Sequence, residues 1–65
     1  MTDEIKIEYL INLMKRYYSQ GDDYFAYKSK KGNWSFGYSN DYPMQHGGGK
    51  TFNLPDDVLT LIINP

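Results

Sequence analysis

Apolar residues recur at three- and four-residue steps through the first third of the chain and predict an amphipathic helix over residues 2–20. Acidic residues in its first turn and basic residues near its end complement the helix dipole, and Gly21 suits the left-handed conformation that often ends a helix. Lys6 borders the apolar stripe. Ile5 and Tyr9 fall on the polar side, where they are either covered by the rest of the chain or exposed to a partner. The residues of the stripe are Ile7, Leu10, Ile11, Met14, Tyr17 and Tyr18.

Two β-rich runs, residues 24–29 and 34–39, are separated by four residues and predict an antiparallel hairpin. An even-numbered connection places aromatic residues of one strand opposite those of the other, and such cross-strand pairs contribute about 0.2–1 kcal/mol each. An odd-numbered connection would instead place Ala26 and Lys28 opposite the rings of the second run. We therefore predict the even-numbered connection. One face of the hairpin then holds Phe25, Tyr27, Ser29, Trp34, Phe36 and Tyr38, and the other holds Ala26, Lys28, Ser35 and Gly37.

The second half of the chain predicts a loop, a short strand and a second helix. Residues 40–49 contain Pro43 and three consecutive glycines and have no periodicity, which is typical of a loop. Residues 50–53 can add a third strand. Residues 55–63 predict a short helix that begins with a proline and two acidic residues, although their apolar run also has the composition of a strand.

These elements predict a single small α+β domain over residues 1–65. In it, the N-terminal helix and the short C-terminal helix pack on one face, the aromatic one, of a two- or three-stranded antiparallel sheet. A chain of 65 residues buries only about 60% of its unfolded surface, which excludes doubly wound sheets, barrels and most enzyme scaffolds.

Charge and composition narrow the function further. Seven Lys and Arg residues against eight Asp and Glu residues give a net charge of -1, so there is no excess positive field for a nucleic-acid backbone. The absence of cysteine excludes disulfides, thiol nucleophiles and Cys-type zinc sites. No apolar run approaches the ~20 residues that span a bilayer and no signal peptide is visible, so we expect a cytoplasmic protein without a membrane segment.

The residue types that carry catalysis are poorly placed in this chain. Gly49, Lys50 and Thr51 imitate a phosphate-binding loop, but the glycine that this motif requires five positions earlier is Met44. His46 is the only histidine, so no histidine pair can bind a metal. The adjacent carboxylate pairs fall at predicted helix ends, where capping explains them. We therefore expect no enzymatic activity, no cofactor and no metal.

The predicted order of helix, hairpin, third strand and helix resembles the αβββα layout of double-stranded-RNA-binding domains. The basic stretch with which that family begins its last helix would fall near Pro55, Asp56 and Asp57, which are not basic in this chain. Two carboxylates there would repel phosphates. The resemblance therefore implies a layout and no RNA-binding function.

By elimination, we expect a non-catalytic protein-binding module that acts as an inhibitor or regulator. Its size and composition are similar to those of short phage or mobile-element proteins that block a host enzyme, including anti-CRISPR and other anti-defence inhibitors. Exposed tyrosines offer a large contact area at low entropy cost. The candidate contact residues are Ile5, Tyr9, Tyr24, Tyr42 and His46.

The partner is expected to be a protein, and a homodimer through Ile5 and Tyr9 is a further option because a small domain gains stability by burying more surface. Two alternatives stay open. One is binding of single-stranded nucleic acid on an aromatic sheet face, and the other is a small self-assembling structural protein. Nucleic acid is not the partner we favour, because the charge is near neutral and the rings are predicted to lie beneath the helices.

Overall fold

The computed structural model of the chain describes residues 1–19, 23–40 and 48–65. Helix α1 (Asp3–Tyr17) is followed by strands β1 (Asp23–Lys28), β2 (Asn33–Asn40) and β3 (Gly48–Pro55) and then by helix α2 (Asp56–Ile63). The strands form one antiparallel sheet in the order β1-β2-β3. This α+β architecture confirms the predicted one, with the third strand present.

Helix α1 begins at Asp3, next to the predicted start at residue 2, and ends at Tyr17, before the predicted end. The side chain of Thr2 accepts a hydrogen bond from the Ile5 amide at 3.3 Å, which satisfies one of the free amides of the first turn. The last helical residue is Tyr17, and the carbonyl of Tyr18 accepts a hydrogen bond from the hydroxyl of Tyr24 at 2.7 Å instead of continuing the helix. The predicted end at Gln20 and the predicted cap at Gly21 lie outside the described residues.

The core lies between the two helices and one face of the sheet. Three side chains in it are almost completely buried, one from each of α1, β2 and α2. They are Leu10, Trp34 and Leu59, and Met14 and Phe36 complete the buried cluster. The short helix predicted over residues 55–63 is confirmed by α2, which starts at Asp56 and packs on β3 and α1. The alternative prediction, a strand, is wrong.

The predicted hairpin register is wrong by one residue. Lys28 pairs with Trp34 and Ala26 with Phe36, so five residues connect the paired ends of the two strands. Because side chains alternate across a strand, this odd-numbered connection moves every side chain of β1 to the opposite face. We call the two faces covered and open. The covered face holds Tyr24, Ala26, Lys28, Trp34, Phe36, Tyr38, Lys50, Phe52 and Leu54, and the open face, which neither helix covers, holds Asp23, Phe25, Tyr27, Ser35, Gly37, Ser39, Gly49, Thr51 and Asn53.

The contacts of α1 explain this register. Ala26 is a small residue at the centre of β1, so α1 can approach the strand closely. The longer side chains of Tyr24 and Lys28, on either side of Ala26, bond to residues near the two ends of α1. The hydroxyl of Tyr24 bonds the carbonyl of Tyr18, and the Lys28 ammonium lies 3.1 Å from the carboxylate of Asp3.

Candidate functional site

A polar cluster joins the start of α1, the hairpin and the start of α2. One carboxylate oxygen of Asp56 accepts hydrogen bonds from the Lys6 ammonium at 2.7 Å and from the Trp34 indole N–H at 2.8 Å. The Asp56 amide donates to the carbonyl of Gly32 at 3.0 Å. Lys28 adds a cation–π contact, with its ammonium 5.9 Å from the centre of the Trp34 ring.

This cluster is a structural connection rather than a reactive site. Lys6 is only 6% exposed, so its ammonium is directed at Asp56 and away from solvent. The bond from Lys6, followed by the bond from Trp34, holds the pKa of the Asp56 carboxyl below its ordinary value of 3.8. A carboxylate that stays ionised and is held by two hydrogen bonds is a poor general acid or base near neutral pH.

Helix α2 leaves a set of apolar side chains in solvent. Its sequence from Val58 onward is apolar apart from Thr60, yet Leu59 is the only one of its residues that is fully buried. Three apolar side chains form a strip along the flank of the helix next to Leu59, two of them one turn after the first, and Asp57 lies one turn before the second of them. This outer face of α2 consists of Val58 at 39%, Leu61 at 66% and Ile62 at 50% exposure.

The open face of the sheet carries a pair of aromatic rings. The rings of Phe25 and Tyr27 lie 6.1 Å apart, with an angle of 29° between their planes. Phe25 lies over Gly37 on the neighbouring strand, and Tyr27 is 56% exposed. The other open-face positions of β2 and β3 are occupied by serine, threonine, asparagine and glycine, and Ser35 donates a hydrogen bond to Asn53 at 2.8 Å.

An apolar cleft of about 310 Å³ lies between the second half of α1 and the covered face. Aromatic rings form part of its wall, with Tyr18 and Phe52 5.9 Å apart and Phe36 and Phe52 5.8 Å apart. The cleft is lined by Leu13, Met14, Tyr17, Tyr18, Phe36 and Phe52. No side chain in this lining is charged, so the cleft offers mainly shape and apolar contact, with the two tyrosine hydroxyls as its polar side-chain groups.

The sequence-predicted contact residues are not brought together as one site. Ile5 is half exposed on α1, and Tyr9 is partly buried against the core. Tyr24 is engaged within the protein, because its hydroxyl bonds the carbonyl of Tyr18 and its ring lies 5.9 Å from the Lys15 ammonium. The other two candidates, Tyr42 and His46, lie outside the described residues.

The described residues offer little other chemistry. Across residues 1–19, 23–40 and 48–65, no three histidine, cysteine, aspartate or glutamate side chains lie close enough to hold a metal ion. Gly49, Lys50 and Thr51 lie within β3 and not in a loop that leads into a helix. Neither of the helices in the described residues is long and apolar enough to cross a membrane.

Two features of the site were missed by the sequence analysis, although each left a signal. Lys6 follows the same four-residue step as Leu10 and Met14, which places it within the apolar stripe and requires a buried counterion. The apolar run of α2 is hydrophobic on all sides, which a helix covered on one side only cannot fully bury. Both features can be recognised from the spacing of the apolar residues once α2 is assigned as a helix.

Comparisons of the chain with known protein families, with curated proteins and with solved structures found no match.

Proposed function

We propose that this chain is a non-catalytic protein-binding module that contacts its partner through the outer face of α2. The observation that carries the proposal is the exposure of Val58, Leu61 and Ile62 on a helix that Leu59 anchors in the core. An apolar stripe at this spacing is the contact pattern of a helix that lies in a groove of another protein. Burying it would remove apolar surface from water at about 25 cal/mol per Å².

The charge at the ends of α2 indicates what the partner must offer. Asp57 is exposed beside the stripe, and the last turn of α2 contains no basic residue. A second copy meeting this face with its own α2 therefore supplies no cation from that helix for Asp57. An apolar groove with a lysine or arginine at its rim complements the face better, so we assign the occupant as a different protein.

The size of the face favours the same assignment. Eight helical residues span about 12 Å, and a flat contact of that length falls short of the ~800 Å² that each side of a standard interface buries. A groove encloses more of the same helix. A module that occupies a groove competes with the groove's natural ligand, which fits the role of inhibitor or regulator, of phage or mobile-element type such as an anti-CRISPR or other anti-defence inhibitor.

Site-specific photo-crosslinking tests the proposal. A benzophenone amino acid at position 61 is irradiated in an extract of the source cells, and a chain with the same group at position 8, an exposed position of α1, is the control. We expect one discrete heteromeric adduct from position 61 and none from position 8. Ile62→Glu in the position-61 chain is expected to abolish the adduct, whereas Tyr17→Glu, at a tyrosine that is 67% exposed on α1, is expected to retain it.

Two results would overturn the proposal. An adduct of about twice the 7.6 kDa chain mass would identify a second copy as the occupant. The absence of any adduct from position 61, with the folded state verified by circular dichroism, would remove the outer face of α2 as a contact surface.

A further inference from the structure

The corrected register leaves two of the six aromatic rings of the hairpin on the open face, where neither helix covers them. Phe25 is held in place by the strand beside it, since its ring tip lies 3.1 Å from the position that a Cβ on Gly37 would occupy. Tyr27 is 56% exposed and its ring lies 6.1 Å from that of Phe25. The pair therefore forms a positioned aromatic surface with one ring largely free on an otherwise small and polar face.

Positive charge lies next to this pair along the chain. Lys30 and Lys31 are exposed at the tip of the hairpin, two turn residues that follow β1 directly after Ser29. Within the described part of the chain, the two ion pairs use Lys6 and Lys28, and neither tip lysine takes part in one. The open face itself carries one charge, Asp23, at the end of β1 farthest from the tip.

We propose that the open face binds a short segment of single-stranded nucleic acid, with a base stacked on Tyr27, a neighbouring base towards Phe25, and phosphates at Lys30 and Lys31. Aromatic rings on a sheet accept bases of any sequence because every base has a π face, and lysines beside them hold the backbone. A neutral oligosaccharide would use the rings and the hydroxyls but leave both lysines without a role. Double-stranded nucleic acid keeps its bases stacked inside the helix, where a flat ring pair does not reach them.

The test measures binding of a short fluorescein-labelled oligothymidylate by anisotropy at low ionic strength. Trp34 fluorescence is unsuitable as the reporter because that ring is fully buried beneath the helices. Removal of Tyr27 by Tyr27→Ala is expected to weaken binding at least about fivefold, from the loss of one base stack. Tyr17→Ala removes a tyrosine of α1 that is 67% exposed and is expected to leave the affinity unchanged.

The salt dependence reports the lysines separately. Each phosphate that is neutralised contributes a slope of about -0.7 to the plot of log K against log salt for single strands. Lys30→Gln combined with Lys31→Gln is therefore expected to reduce the slope by about 1.4. Ile62→Glu, which disables the proposed protein-binding face, is expected to leave oligothymidylate binding intact, so the two proposals succeed or fail independently.

Three results would overturn this inference. Absence of binding at low salt would remove the site, and equal weakening by Tyr17→Ala and Tyr27→Ala would show that binding is unspecific. Amide shift changes around Tyr27 on titration with a neutral glucan, without oligothymidylate binding, would assign the face to sugars instead.

Discussion

The two faces of the sheet are made of alternate residues of the same three strands, and they differ in almost every property. The covered face buries Trp34 and Phe36 under both helices and holds the charged cluster at Asp56. The open face exposes Tyr27 and is otherwise small and polar. Whether the connection between β1 and β2 has an odd or an even number of residues therefore decides which rings stabilise this domain and which are available to a ligand. With five residues, Phe25 and Tyr27 lie on the open face.

Truncation of a ring should separate the two faces most clearly. Phe36→Ala on the covered face is expected to cost about 3–5 kcal/mol, which equals the whole stability that a domain of this size usually has. Tyr27→Ala on the open face is expected to stay within about 1 kcal/mol, because its ring is mostly in solvent already. Urea unfolding followed by circular dichroism gives both values.

A milder variant keeps this comparison informative if Phe36→Ala does not fold. Phe36→Leu retains most of the buried volume and is expected to cost about 1–1.5 kcal/mol. Similar losses from Phe36→Leu and Tyr27→Ala, both near zero, would contradict the assignment of Phe36 to the core.

Gly37 packs closely against both the backbone of β3 and the ring of Phe25. Its substitution has the second-largest expected effect on the free energy of unfolding. A Cβ at this position would overlap the backbone carbonyl oxygen of Lys50 and press on the ring of Phe25. Gly37→Ala is therefore expected to cost about 1–3 kcal/mol through displacement of β3. Ser39→Ala, two residues further on the same face, is the matched control and should change the unfolding free energy by less than about 0.5 kcal/mol.

Periodicity alone predicted the elements of this fold. Helix α1, the hairpin, the third strand and the short last helix all follow from apolar spacing and turn residues. The pairing of β1 did not follow, because its aromatic residues occupy both parities: Tyr24 faces one way and Phe25 and Tyr27 face the other. The predicted register paired aromatic residues across the hairpin and took no account of helix α1. This helix packs on β1 and requires a small residue beneath it, which is Ala26.

The candidate surfaces were less predictable than the fold. The apolar run shows that some side chains of α2 stay exposed, but which ones depends on its contacts with α1 and β3, which a helical projection of α2 alone does not contain. The role of Tyr24 likewise depends on its distance from the carbonyl of Tyr18, a residue beyond the end of α1. Tertiary contacts of this kind have no local sequence signature.

Substitution of Gly32, in the turn between β1 and β2 that sets the register, has the third-largest expected effect on stability. Gly32 has a φ of 84°, in the left-handed region, with no atom near enough to obstruct a side chain. Gly32→Ala is expected to cost about 1 kcal/mol from backbone strain, and Gly32→Asn less, because asparagine tolerates this conformation. Equal thermal unfolding midpoints for Gly32→Ala and the unmodified chain would contradict the turn geometry, and with it the five-residue connection.

The smallest expected effect is a pH dependence of the stability that arises at Asp56, in the polar cluster of the covered face. The folded pKa of Asp56 lies below its ordinary value of 3.8, chiefly through its bond with Lys6. The unfolded chain therefore binds more protons in the window below pH 3.8, so the stabilisation is complete above that pH and is lost as the pH falls through the folded pKa. The side chain of Asp56 is 35% exposed, and solvent screening keeps this contribution modest.

Lys6→Met is the variant that tests this dependence, because methionine fills the buried space without the charge. The pKa of Asp56 should then rise towards its ordinary value, and the acid loss of stability assigned to this carboxyl should shrink. Carboxyl NMR titration of Asp56 reads the pKa directly, and urea unfolding across the acid range reads the linked stability. An Asp56 titration that is unchanged in Lys6→Met would show that Lys6 does not lower the pKa, which would leave the bond from the Trp34 indole and the charge of Lys28 as the causes.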